Sequence, residues 1–222
     1  MESGQGICYV VGAGENYGLH FTLQDGDYVI AADGGLSFLE ENNIRADLVV
    51  GDFDSLPYEP GIRNVIVLEK EKDDTDMRVA VCQGIKAGYR RFHIYCGAGG
   101  RLDHTMANMQ LLAELADRGL QGILFGADCA VTALRNGTIE FPAGLSGYVS
   151  VFSHSEKSSG VFLSGLKYEL TDAVLTNTLP LGVSNEFTDK NSCITVKNGT
   201  LLLVFPPEAA EVLQYSSAYD QQ

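Results

Sequence analysis

Along the first half of the chain, short apolar runs alternate with longer stretches in which apolar residues recur every three or four positions. The runs "ICYVVG" (7–12), "YVIAAD" (28–33), "DLVVGD" (47–52), "NVIVLE" (64–69), "RFHIYCG" (91–97) and "GILFG" (122–126) are rich in β-branched and aromatic residues. They are too short for helices and read as buried strands. From Asp74 to Gly88, Met77, Ala80, Val81, Gly84 and Ile85 fall at i, i+3, i+4, i+7 and i+8, which predicts a helix ended by Gly88. From Asp103 to Arg118, Met106, Leu111, Leu112 and Leu115 share one side, with Gly119 as the stop. Strands and helices in alternation predict an α/β domain with a mainly parallel sheet and helices on its faces.

After about residue 127 the period changes. "AVTALRNGTIEF" predicts a hairpin at Asn136-Gly137, and "CITVKNGTLLLVF" a second at Asn198-Gly199. "GYVSVFSHS" and "GVFLSGLKYEL" read as further short strands. The expectation is an N-terminal α/β domain over 1–126 and a C-terminal all-β sandwich over 127–222, with no solenoid repeat and no low-complexity linker between them.

Composition narrows the class. The 222 residues are 45% hydrophobic and include 25 glycines, which makes the chain globular and long enough for one large domain or two small ones. A net charge of -14, from 15 basic and 29 acidic residues without any basic cluster, argues against nucleic acid or an anionic membrane as partner. An anionic substrate would need a cation as escort. The N-terminus lacks a leader pattern, and no segment approaches the roughly 18 apolar residues of a membrane span. Five cysteines without a C-x-x-C spacing predict buried free thiols and a cytoplasmic home.

Candidate chemistry collects where the strands end. Ligands of an open parallel sheet bind beyond the carboxyl ends of its strands. There the sequence places Asp33 with Gly34 and Gly35, then Asp52 and Asp54 in "GDFDS", then "KDDTD" (72–76), then "GAGGRLDH" (97–104). Each could be an ordinary turn, and Asp73 or Asp74 an N-cap. So many carboxylates on one rim repel, and a hard oxygen-ligated cation relieves that crowding. Asp52 and Asp54 suit Mg²⁺, and Asp76 could join them. Asp25 and Asp27 read as a turn, Glu40 and Glu41 as a solvated helix face.

The glycine loop supplies the opposite charge. Gly97, Gly99 and Gly100 let backbone N–H groups approach an anion, Arg101 offers a guanidinium fork, and the following helix adds its positive end. With the carboxylates this suggests a polyphosphate held between Arg101 and Mg²⁺. A rival lies in "VVGAGENYG", where Gly12, Gly14 and Gly18 follow the first strand as in dinucleotide-binding folds. Its spacing departs from G-x-G-x-x-G, and hydride transfer leaves Asp52, Asp54 and Asp76 without a role. His20, His93 and His154 read as structural or surface residues; His104 could orient a phosphate or end a loop.

Taken in order, "ADGG" (32–35), "GDFDS" (51–55), "DDTD" (73–76), "GGRLDH" (99–104) and "SNEF" (184–187) make the chain similar to the thiamine pyrophosphokinase family over nearly its whole length. The resemblance implies a homodimer that uses Mg²⁺ and ATP to convert thiamine into thiamine diphosphate and AMP, with active sites at the subunit interface. It implies Mg²⁺ on Asp52, Asp54 and Asp76, Asp33 near the reacting phosphates, Arg101 and Asp103 on the nucleotide side, and Ser184 and Asn185 against the thiamine pyrimidine. Some relatives stack thiamine on a tryptophan, and this chain has none, which leaves the stacking partner open. The alternative is a nucleotide or thiamine sensor of the same fold without turnover.

Overall fold

The computed structural model describes residues 6–52, 64–68 and 74–217. Two compact units divide it, Met1–Asn108 with Leu124–Ala127, and Met109–Ile123 with Asp128–Gln222. The architecture is mixed and dominated by sheet.

In the first unit, β1 (Cys8–Val11) pairs in parallel with β2 (Tyr28–Ala32) on one side and β5 (Arg91–Tyr95) on the other. β2 continues to β3 (Leu48–Gly51) and β3 to β4 (Val65–Val67), again in parallel. Period-two alternation splits the side chains between the faces. Tyr9, Val11, Val29 and Val49 pack on one face with Leu36 and Leu39 of α1 (Gly35–Glu41). The other face receives α2 (Asp76–Lys86), whose Gly84 lies so close to Cys8 and Phe92 that an added Cβ would stand 2.7 Å from each. Both faces of β1, β2 and β3 are therefore covered, which is why these strands read as unbroken apolar runs.

α3 (Leu102–Asp117) and β6 (Gln121–Phe125) follow. Leu111, Leu112 and Leu115 of α3 are buried as their spacing predicts, and Gly122 of β6 is small because Leu112 and Leu115 press on it. Met106 departs from expectation: it is 57% exposed, because Asn108 rather than Met106 takes the inward position on that part of the helix.

The second unit holds β7 (Ala130–Phe141), β8 (Tyr148–Ser153), β9 (Lys157–Ser164), β10 (Leu170–Thr176), β11 (Gly182–Glu186), β12 (Ser192–Phe205) and β13 (Gln214–Ser217), with a 3-10 turn at Pro207–Glu211. Its pairings are antiparallel. The two expected hairpins are not turns. Asn136-Gly137 lies inside β7 and Asn198-Gly199 inside β12, and the two strands pair along nearly their whole lengths. The pairs meet at a bulge: the register shifts between Val196 and Thr200, Asn136 is left-handed at φ 47, and Gly199 N donates to Asn136 Oδ1 at 2.9 Å. There β12 exchanges β9 as its other neighbour for β8. The bulge bends the strands where the sheet changes partners, a use that Asn and Gly serve as well as a hairpin.

Candidate active site

Because the strands of the first unit run parallel, the segments that leave them all emerge at one edge. β1 delivers Gly12 to Glu15, β2 delivers Asp33, β3 delivers Asp52, and β5 delivers the loop to Arg101. Between them opens a cleft of about 630 Å³. Its wall includes Asp33, Asp76, Gly97, Gly99, Gly100, Arg101 and His104, all of them expected. Asp52 and Asp103 are not on the wall as described, and Asp54 lies outside the described residues.

Asp33 is held tightly. It takes a left-handed backbone at φ 51, its N–H donates to Val50 O at 2.7 Å, and its Oδ1 is shielded from solvent. Aspartate tolerates that conformation better than most residues. Cys96, after β5, does the same at φ 53, and burial pushes its thiol up to about 11, so it stays protonated. Asp76 stands in the first turn of α2, where the helix dipole favours a carboxylate. The cap itself is Thr75, whose Oγ1 accepts from Arg78 N, while Asp74 pairs with Arg78 one turn on.

The loop after β5 is fixed by α3. Gly99 N donates to Thr105 Oγ1 at 3.1 Å, so that N–H is occupied within the loop. Asn108 Nδ2, buried, donates to Gly97 O at 2.7 Å, and a Cβ on Gly97 would stand 2.9 Å from that nitrogen. Sequence reasoning missed both Thr105 and Asn108. The available signal was a polar residue, Asn108, on the stripe that continues through Leu111, Leu112 and Leu115.

Arg101 and Asp103 form an exposed ion pair, Nη2 to Oδ2 at 2.6 Å, with Nε to Oδ1 at 3.2 Å. This hydrogen bond holds the Asp103 carboxyl below its usual range and raises the guanidinium of Arg101. The pair thus places the guanidinium on the cleft rim by a local contact.

Gly12 and Gly14, assigned at first to a rival arrangement, belong to this same cleft. Gly12 N donates to Tyr95 O and Gly14 N to Cys96 O, and a Cβ on Gly14 would stand 2.6 Å from Cys96 O. Further along, the Tyr17 hydroxyl covers Gly99, 2.0 Å from where a Cβ would be. Two glycine-rich loops therefore close on each other at the strand ends.

In the second unit, Ser184 is exposed and left-handed at φ 55, with its N–H donating to Ser150 Oγ at 3.0 Å. Asn185 is 3% exposed. Among the described residues no group of three or more His, Cys, Asp or Glu is gathered closely enough to hold a metal, and no helix is long and apolar enough to cross a membrane.

Residues 19–124 match the family described as thiamin pyrophosphokinase, catalytic domain, and residues 137–201 match thiamin pyrophosphokinase, vitamin B1 binding domain. A thiamine pyrophosphokinase of Bacillus subtilis is 26% identical over 189 residues, covering 79% of this chain and 85% of its own. A crystal structure of the thiamine pyrophosphokinase from Bacillus subtilis superposes with a TM-score of 0.81 at 22% identity, over 90% of this chain and 98% of the other. That of Geobacillus thermodenitrificans gives 0.79 at 28% identity, over 90% and 97%. With both domains of one family matched in order and the fold shared along nearly its whole length, the chain belongs to the thiamin pyrophosphokinase family.

Proposed function

We propose that the protein is an ATP-dependent diphosphotransferase that moves a diphosphoryl group from ATP to the hydroxyl of thiamine, giving thiamine diphosphate and AMP. The observation that carries this reading is the cleft at the carboxyl edge of the first unit, where Asp33 and Asp76 share a wall with Gly97, Gly99, Gly100 and Arg101. In this reading residues 1–126 form the nucleotide-binding α/β domain around a mainly parallel sheet, and 127–222 the thiamine-binding β-sandwich. A sensor without turnover is the less favoured reading, since simple binding gives no reason for acids on a polyphosphate cleft.

The donor set fits Mg²⁺. Asp76 on the cleft wall and Asp52 after β3 are hard oxygen donors, and Mg²⁺ takes one or two carboxylates and completes its shell with phosphate and water. Asp52, Asp54 and Asp76 are the residues that would hold it. Bound there, the ion would neutralise charge on the polyphosphate as the thiamine hydroxyl approaches.

The chain's own groups supply the rest. Arg101 faces the phosphates with a planar fork, and Asp103 keeps that fork at the rim. Gly97 and Gly100 allow close backbone approach, and His104 borders the same wall. Asp33 is the better placed acceptor for the hydroxyl proton, because it lines the cleft while Asp103 is tied to Arg101. Ser184 belongs to the thiamine side in this reading, and a homodimer completes each active site with a second copy. All five cysteines are free, which accords with the cytoplasm.

The test is an assay for AMP and thiamine diphosphate with thiamine, ATP and Mg²⁺, each omitted in turn. Product only when all are present supports the reading. Binding of both substrates without product would favour the sensor.

A further inference from the structure

The loop after β1 carries a carboxylate to the edge of the glycine loop after β5. Cβ atoms built on Gly99 and Gly100 would stand 3.1 Å and 3.4 Å from Glu15 Cγ, and the one on Gly100 also 3.5 Å from Glu15 Oε1. Glu15 therefore lies against the two glycines that precede Arg101, on the wall of the same cleft.

Its backbone is pinned on both sides. Gly12 N donates to Tyr95 O at 2.9 Å and Gly14 N to Cys96 O at 2.8 Å. Further along, Gly18 N donates to Asn16 Oδ1 at 2.9 Å, and the Tyr95 hydroxyl donates to His20 O at 3.4 Å. Phe21 then stacks on Tyr9, ring centroids 4.2 Å apart, and anchors the segment in the core of the first unit. A carboxylate on a backbone so fixed loses little freedom when a ligand meets it.

Beside a phosphate site such a group is otherwise a liability, because like charges repel and do so more strongly in a cleft than in open water. Arg101, the neighbouring cation, is bonded to Asp103. Asp33 and Asp76, the other acids on this wall, have roles at the phosphates and the metal in the reading above, and Glu15 has none. A carboxylate accepts hydrogen bonds and donates none, so at this place it suits an uncharged part of the nucleotide that donates. The unit next to the phosphates is the ribose, whose 2′ and 3′ hydroxyls are such donors. The adenine amino group lies farther off, beyond the sugar.

We propose that Glu15 is a specificity-determining residue that accepts hydrogen bonds from the ribose hydroxyls, so that the protein takes ribonucleoside triphosphates in preference to their deoxy forms. The proposal rests on the reading that the cleft of the first unit holds ATP.

Sugar-modified nucleotides test it on the full chain. With thiamine and Mg²⁺, the wild type should favour ATP over at least one of 2′-deoxy-ATP and 3′-deoxy-ATP by about 10- to 100-fold in kcat/KM, since a site built for a hydroxyl rejects the analogue that lacks it. Glu15→Ala should remove most of that preference by losing ATP use. Glu15→Gln keeps an accepting oxygen without the charge and should retain part of it. Glu15 is exposed, so both variants should melt like the wild type. Equal use of the three nucleotides by the wild type would overturn the proposal without any variant. A preference undiminished in Glu15→Ala would overturn it too, any uniform change then marking Glu15 as a neighbour of the phosphates or Mg²⁺. Inosine triphosphate keeps the sugar and lacks the adenine amino group, and Glu15→Ala should impair its use by the same factor as that of ATP. An effect confined to ATP would move the contact to the base and overturn the assignment. Calorimetric binding of the three adenine nucleotides with Mg²⁺ and no thiamine makes the same comparison without transfer. Product formation with no sugar preference would leave diphosphoryl transfer standing and sink this inference. A Glu15-dependent sugar preference in binding, with no AMP formed when thiamine is added, would sustain it and remove the enzymatic reading.

Discussion

A Cβ built on Gly51 would stand 3.0 Å from Asp33 Cα and 3.2 Å from Asp33 N, so the end of β3 and the turn after β2 are in backbone contact. Glycine at 51 is what lets Asp33 keep its left-handed conformation beside the cleft. Gly51→Ala should therefore cost about 1–3 kcal/mol in urea unfolding, the usual range for overpacking. It should also reduce AMP formation beyond what the lost stability explains. Wild-type stability in this variant would show that the turn is not packed so closely.

The carboxylates are expected to be a cost until they are filled. If Asp52, Asp54 and Asp76 share Mg²⁺, Asp54→Asn should remove nearly all Mg²⁺-dependent AMP release. Relief of like-charge repulsion means the unliganded variant should melt no lower than wild type. Activity near wild type would contradict the metal assignment.

Arg101 is exposed and bonded mainly to Asp103, so its value should be functional rather than structural. Arg101→Lys should leave the melting temperature unchanged and still weaken ATP use, because an ammonium cannot reproduce a planar fork. The thiamine KM should change little. Unchanged kinetics for both substrates would remove Arg101 from the cleft chemistry.

His93 predicts an acid limit on stability. Burial, together with Arg91 and against the opposing influence of Asp27, lowers its pKa from 6.5 to about 4. It packs edge-on to Tyr9 and Phe125. Between those pH values the unfolded imidazole binds a proton that the native one does not, so its contribution is complete above about pH 6.5 and is lost as pH falls toward 4. The full effect is about 3 kcal/mol. His93→Phe should flatten the stability profile across that window, measured by denaturant unfolding at a series of pH values. An equally steep profile would assign the acid sensitivity elsewhere.

The strands and helices of the first half were legible because their buried faces impose periods of two and 3.6 on the residues. The carboxyl-edge location of Asp33, Asp76 and the 97–101 loop followed from the order of those elements. Asn136-Gly137 and Asn198-Gly199 misled for a physical reason: the local conformation that suits a hairpin also suits a bulge, and only the long-range pairing of β7 with β12 decides between them. The role of Gly12 and Gly14 in the cleft was hidden by their likeness to a dinucleotide-binding loop, which pointed to another ligand. The hydrogen bonds of the Asn185 side chain to the Tyr168 backbone could not be read at all, since Tyr168 lies 17 residues away and is reached only through the fold.

Diphosphoryl transfer itself is tested most directly by following each phosphorus of ATP through a single turnover with thiamine and Mg²⁺. With label in turn at the α, β and γ positions, the account predicts that α label appears in AMP and that both β and γ labels appear in thiamine diphosphate. Appearance of γ label alone in a thiamine monophosphate, with α and β labels together in ADP, would contradict it.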